Sequence, residues 1–177
     1  MAYKPFYIFV EGPDDTRFVK RVLVKTFSDY THIQVQEYSQ EKPEKIDRFI
    51  KSIKSLGGEY LFLCDMDRNP CVTQKVQKIL EKYKRLENRK GVFVVIKEIE
   101  SWYLAGISAD DSKSLGLDNL ECTDDITKEV FNEMMPNRFD SRVDFMQEIL
   151  KSFSINVAAN KNASFNYVAS KLGLIKA

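Results

Sequence analysis

Carboxylates stand in this chain where hydrophobic runs stop. Glu11 follows Phe6-Tyr7-Ile8-Phe9-Val10, Asp65 and Asp67 follow Tyr60-Leu61-Phe62-Leu63-Cys64, and Glu98 and Glu100 follow Gly91-Val92-Phe93-Val94-Val95-Ile96. Acids brought close together repel and raise one another's pKa values unless a cation or a shared proton compensates. A hard divalent ion is the simplest compensation, and all-oxygen ligation with room for water is what magnesium prefers. The chemistry open to such a set is metal-assisted, with the ion activating a water or polarising an oxygen. Asp14 and Asp15 come next in the chain, at the start of a helix, where a carboxylate can cap free N–H groups and meet the positive end of the dipole. Asp14 reads as the cap; Asp15, one position further in, could point back at the metal. Asp-x-Asp alone signals little, because paired acids are common in turns. The company of Glu11 gives it meaning.

Three buried strands must carry these acids. The runs 6–10, 60–64 and 92–97 are continuous and rich in aromatic and β-branched residues, as strands covered on both faces are. Ile33 to Tyr38 alternates weakly and reads as a fourth, nearer an edge. Helical spacing fills the gaps: Phe18, Val19, Val22, Leu23 and Phe27; then Ile46, Phe49, Ile50 and Ile53 after Pro43, stopped by Gly57-Gly58; then Val72, Val76, Ile79, Leu80 and Tyr83. Alternating strands and helices predict an α/β fold, a mainly parallel four-stranded sheet in the order 2-1-3-4. In such a sheet ligands gather beyond the carboxyl ends of the strands, and this order sets the first and third side by side.

After Gly106 the pattern changes. Residues 109–125 are polar and turn-rich, and helical spacing returns around 126–135, 143–153 and 165–172, with no strand evident. The expected organisation is an α/β core over 1–105 and a helical region over 106–177 packed on it as one compact domain. At 177 residues two full domains are not expected. With 27 basic against 26 acidic side chains, the chain carries no overall field for nucleic acid or anionic membrane, so such contacts must come from local patches. Cys64, Cys71 and Cys122 follow no ligand spacing and read as reduced thiols; with no long apolar segment, the expectation is a cytoplasmic protein.

The segments Val10-Glu11-Gly12-Pro13-Asp14-Asp15 and Cys64-Asp65-Met66-Asp67, each at a strand end, resemble the TOPRIM domain. That domain is shared by DnaG-type primases, type IA and type II topoisomerases, RecR proteins and OLD-family nucleases. Together with Ile99-Glu100-Ser101-Trp102-Tyr103-Leu104, they look closest to small stand-alone TOPRIM-like proteins of phage-defence type related to the OLD nucleases. The resemblance covers about the first 105 residues. It implies that Glu11 is a metal ligand or general acid/base, and that Asp65 and Asp67 hold Mg2+, with Mn2+ as a substitute. Asp15, Glu100 or Glu98, and Lys161 in Asn160-Lys161-Asn162 match the remaining acids and the lysine of the OLD site, which places Glu11, Asp65 and Lys161 in catalytic roles. The primase zinc segment and a topoisomerase tyrosine context have no counterpart here.

The activity implied is magnesium-dependent cleavage or related processing of nucleic acid, DNA before RNA, without a membrane, and with room for a homodimer or a partner protein. The alternative is a non-catalytic TOPRIM-like module that binds nucleic acid or a partner, as RecR proteins suggest. Aspartyl-phosphate chemistry fits less well, because the first strand ends in Glu. His32 reads as a surface residue, Trp102 and Tyr103 as core, and the Lys- and Arg-rich stretch from Lys75 to Lys90 as a solvated helix face.

Overall fold

The computed structural model describes residues 4–27, 29–87 and 89–175, so the extreme ends of the 1–105 and 106–177 segments lie outside it. Strands β1 (Pro5–Val10), β2 (His32–Glu37), β3 (Glu59–Asp65) and β4 (Val92–Val95) form one sheet in the order β2-β1-β3-β4, as the sequence predicted. Both β2 and β3 run parallel to β1, with Phe6 opposite Glu59 and Phe9 opposite Phe62 on one side and Val10 opposite Glu37 on the other. β4 is shorter than the expected 92–97. It ends at Val95, and Lys97 takes a left-handed φ of 67°, a conformation that interrupts an extended strand.

The period of two along β1 sends Phe9 to one face and Ile8 and Val10 to the other, and all three are wholly buried. Phe9 stacks on Phe62 of β3 at 4.5 Å, and Phe62 meets Tyr38 at 5.2 Å and Tyr83 at 5.5 Å. Helices α2 (Pro43–Ser55) and α3 (Val72–Lys82) complete this core with Ile46, Ile50, Ile53, Val76 and Ile79. The expected first helix is less regular. It is α-helical only over α1 (Pro13–Phe18), widens to a π-turn over Val19–Leu23 and tightens to a 3-10 turn over Val24–Thr26. Phe18, Val19, Val22 and Leu23 are all buried along it.

Chain contacts divide the protein into two compact units, Met1–Val94 and Val95–Ala177. The second, past the end of β4, is helical in its described residues: α4 (Ile99–Ala105), α5 (Ala109–Leu115), α6 (Lys128–Met134), α7 (Arg142–Ile149), α8 (Ile155–Lys161) and α9 (Ala163–Lys171). Of these, α5 falls in the stretch read as turn-rich, and α8 lies between the expected helical segments 143–153 and 165–172. Their start signals are plain: Ser108 and Ser154 accept from the N–H groups of Asp111 and Val157, and Thr127, Ser141 and Asn162 cap α6, α7 and α9 in the same way. Trp102 and Tyr103 are fully buried, as expected, with Trp102 Nε1 donating to Ser164 Oγ at 2.8 Å. Among the described residues no helix is long and apolar enough to cross a membrane.

Candidate functional site

The adjacency of β1 and β3 brings the first acids to one edge of the sheet. Glu11 follows the last residue of β1, Asp65 is the last residue of β3, and Asp67 lies two residues on in a turn closed by hydrogen bonds from the Asn69 backbone and side chain to the Met66 carbonyl. Asp67 has a φ of 49°. A non-glycine residue in the left-handed region stores about 1 kcal/mol or more, and Asp tolerates it better than most.

Glu11 is held from two sides. Tyr38, at the end of β2 and buried, donates its hydroxyl to Glu11 Oε1 at 3.2 Å, and Lys75 Nζ donates to the same oxygen at 3.3 Å. Lys75 reaches Asp67 Oδ2 as well, at 2.5 Å, so a single ammonium joins the ends of β1 and β3. Its side chain is 7% exposed. Burial disfavours that charge, but the hydrogen bond to Asp67 and the negative charge of Glu11 outweigh it and hold the Lys75 pKa above the usual lysine value. The same surroundings act on neutral acids with the opposite consequence. Burial, then the charge of Glu11, raises the Tyr38 hydroxyl far above its ordinary range and the Tyr83 hydroxyl to about 12. Burial likewise pushes the Cys64 thiol to about 12, which leaves it protonated and inert.

Lys75 is the functional residue that the sequence reading missed. The stretch beginning at Lys75 does not lie wholly on a solvated face: α3 turns Lys75 inward beside Val76 and Ile79, while Lys78 and Lys82 stay exposed. Spacing held the signal, because 72, 75, 76 and 79 share one face of a helix. A cavity of about 370 Å³ opens here, lined by Glu11, Tyr38, Ser39, Asp67, Asn69, Lys75, Lys78 and Lys82 among others.

The other site candidates have these places. Asp15 is buried and its Oδ2 accepts from the Gly12 N–H at 3.1 Å, so Asp15 performs the capping expected of Asp14, which instead pairs with Arg17 at 2.6 Å. Glu98, Glu100 and Lys161 belong to the second unit, and each is engaged within it. Glu98 Oε2 accepts from the Lys128 N–H at 2.5 Å, and buried Glu100 pairs with the Arg142 guanidinium. Lys161 donates to the Ile107 carbonyl at 2.7 Å and to Asn119 Oδ1 at 3.1 Å; burial pulls its pKa below the usual lysine value against the charge of Glu121. His32 is exposed. Among the described residues, no three His, Cys, Asp or Glu side chains are grouped ready to hold a metal ion. The two carboxylates joined by Lys75, Glu11 and Asp67, nonetheless offer the oxygen ligands that a hard ion takes.

Fold and site together define a class: a parallel α/β sheet in the order 2-1-3-4, whose first and third strands end in carboxylates gathered about a positive charge. Among solved structures, the fold is similar to the C-terminal region of the Xanthomonas campestris pv. campestris OLD protein, with a TM-score of 0.50 and 17% identity over 97% of this chain and 96% of that one. The C-terminal region of the Burkholderia pseudomallei OLD protein is 18% identical over 97% and 99% of the two chains, with a TM-score of 0.44. At such identities the likeness is one of fold. No protein-family model and no curated protein matches the chain.

Proposed function

We propose that this chain is a cytoplasmic, magnesium-dependent nuclease of TOPRIM type, or a related phosphodiester-processing protein, acting on nucleic acid and on DNA before RNA. The observation that carries the reading is the meeting of Glu11 and Asp67 on one buried ammonium at the ends of adjacent parallel strands, with Asp65 closing the same strand edge. Glu11, Asp65 and Asp67, with Asp15, would hold the ion. Magnesium, when bound there, supplies Lewis acidity toward the phosphodiester oxygens.

The chain's own groups divide the remaining work. Tyr38 orients the Glu11 carboxylate, leaving Glu11 to accept or pass a proton at the attacking water. Ser39 fixes the backbone at the same point by donating to the Glu11 carbonyl at 2.5 Å. Lys78 and Lys82, exposed along the cavity, meet the phosphates of the strand. One observation favours the alternative of a non-catalytic binding module: Lys75 already neutralises part of the acid cluster without a metal.

The deciding assay is Mg2+- and Mn2+-dependent cleavage of single- and double-stranded DNA and RNA, run beside a binding titration at fixed salt. The nuclease reading expects cleavage by the wild type and a loss of about 100-fold or more in Glu11→Gln, with strand binding retained, because phosphate contacts dominate affinity. No cleavage under any condition, with equal binding by both proteins, would leave the module.

A further inference from the structure

The position of Lys75 bears on how an ion could enter the site. Its ammonium lies 3.3 Å from Glu11 Oε1 and 2.5 Å from Asp67 Oδ2, with hardly any exposure to solvent. A divalent ion drawn to the same two carboxylates would use the same oxygens. A second cation drawn to those oxygens competes with the ammonium, because like charges on the same carboxylates repel one another. We propose that Lys75 is a built-in competitor for the divalent ion, an ammonium tethered to α3 that holds Glu11 and Asp67 together in the apo protein and leaves them when the ion binds. This rests on the reading of Glu11 and Asp67 as ligands.

The surroundings allow the exchange. Lysine carries its charge on a flexible four-carbon stem, and the adjoining cavity of about 370 Å³ has Ser39 and Asn69 on its walls as partners for a displaced ammonium. Asp67 supports the exchange from the other side, since its side chain is 57% exposed and open to an arriving ion while Lys75 is closed in. The competitor lowers apparent affinity for the ion by the fraction of time the carboxylates are free. An ammonium in place nine-tenths of the time weakens binding by about tenfold. The acids are then kept from repelling one another when the ion is absent, and ion binding is tied to a rearrangement of the cavity that receives the strand.

Calorimetry and Mn2+ electron paramagnetic resonance would measure Mn2+ and Mg2+ affinity for the wild type, Lys75→Met and Lys75→Gln. Gln keeps a hydrogen-bonding head should Met fail to fold. Both variants should bind Mn2+ about tenfold more tightly than wild type. Independently of any variant, the side-chain NMR resonances of Lys75 in the wild type should move toward those of a solvated lysine as Mn2+'s diamagnetic stand-in, Mg2+, is titrated in. Equal or weaker binding by the variants, or Lys75 resonances that stay put while the ion binds, overturns the inference and leaves the proposed function intact. Absence of ion binding in all three proteins overturns both. Tighter binding by the variants in a protein that cleaves nothing upholds the competitor and sinks the nuclease.

Discussion

Asp67 carries two loads in one residue, an ion-pair oxygen and a left-handed backbone, and substitution can separate them. Asp67→Gly and Asp67→Ala both take a partner from Lys75, but only Gly relieves the positive φ. The Gly variant should be more stable than the Ala variant by about 1 kcal/mol in urea denaturation, since left-handed alanine bears the Cβ penalty. Ala matching or exceeding Gly would mean that the turn relaxes and stores no strain. Both should fall below wild type only modestly, because the Asp67 side chain is more than half exposed and water screens its pair.

At the scale of elements, the start of β3 is clamped opposite to the site. Glu59 takes a hydrogen bond from the Tyr30 hydroxyl at 2.8 Å and a salt bridge from Lys4 at 3.0 Å, and the Lys4 ammonium lies over the Tyr30 ring. The Tyr30 and Lys4 hydrogen bonds lower the Glu59 carboxyl below its ordinary value despite partial burial. A lowered folded-state pKa contributes stability that is present above the unfolded value and lost as pH falls through the folded one. Wild type should therefore be more stable than Glu59→Gln at neutral pH, and the gap should close as pH drops below about 4, the ordinary carboxylate range. Thermal melts across that range decide it. A gap that is constant with pH would assign the effect to packing.

The same scale shows what could be read from the residues. Continuous apolar runs marked β1, β3 and β4, and weak alternation marked β2 as an edge, because burial on two faces or one writes itself into the spacing. The acids at the ends of β1 and β3 were legible for the same reason. Lys75 was legible only in part, since spacing puts it on the apolar stripe of α3 but only the tertiary neighbours Glu11 and Asp67 account for a charge there. Helix α5 hid in a stretch whose polar residues, Asp110, Asp111, Ser112 and Lys113, obscured the short apolar face that ends in Leu115.

For the whole molecule, near-neutral charge constrains how it can meet a polyanion. With a net charge of +1, long-range attraction is small, so any affinity for nucleic acid would rest on a few local cations and be only mildly dependent on salt. Lys78 and Lys82 are exposed and line the same cavity as Glu11 and Asp67. Lys78→Ala/Lys82→Ala should weaken oligonucleotide binding across sequences and reduce the magnitude of the slope of log K against log salt by about 2. An unchanged slope in fluorescence anisotropy titrations would move the strand to another surface.

Strand order also bears on how the chain survives its own synthesis. The central strand β1 leaves the ribosome before both of its neighbours, and its aromatic run Phe6–Val10 is covered on the inner side only when β3 arrives about fifty residues later. At about 5–20 residues per second, that interval is roughly three to ten seconds. For that time the aromatic run of β1 stays available to chaperones or to a neighbouring nascent chain. Codon choice and translation speed between β1 and β3 should thus change the yield of folded protein from an unchanged amino-acid sequence.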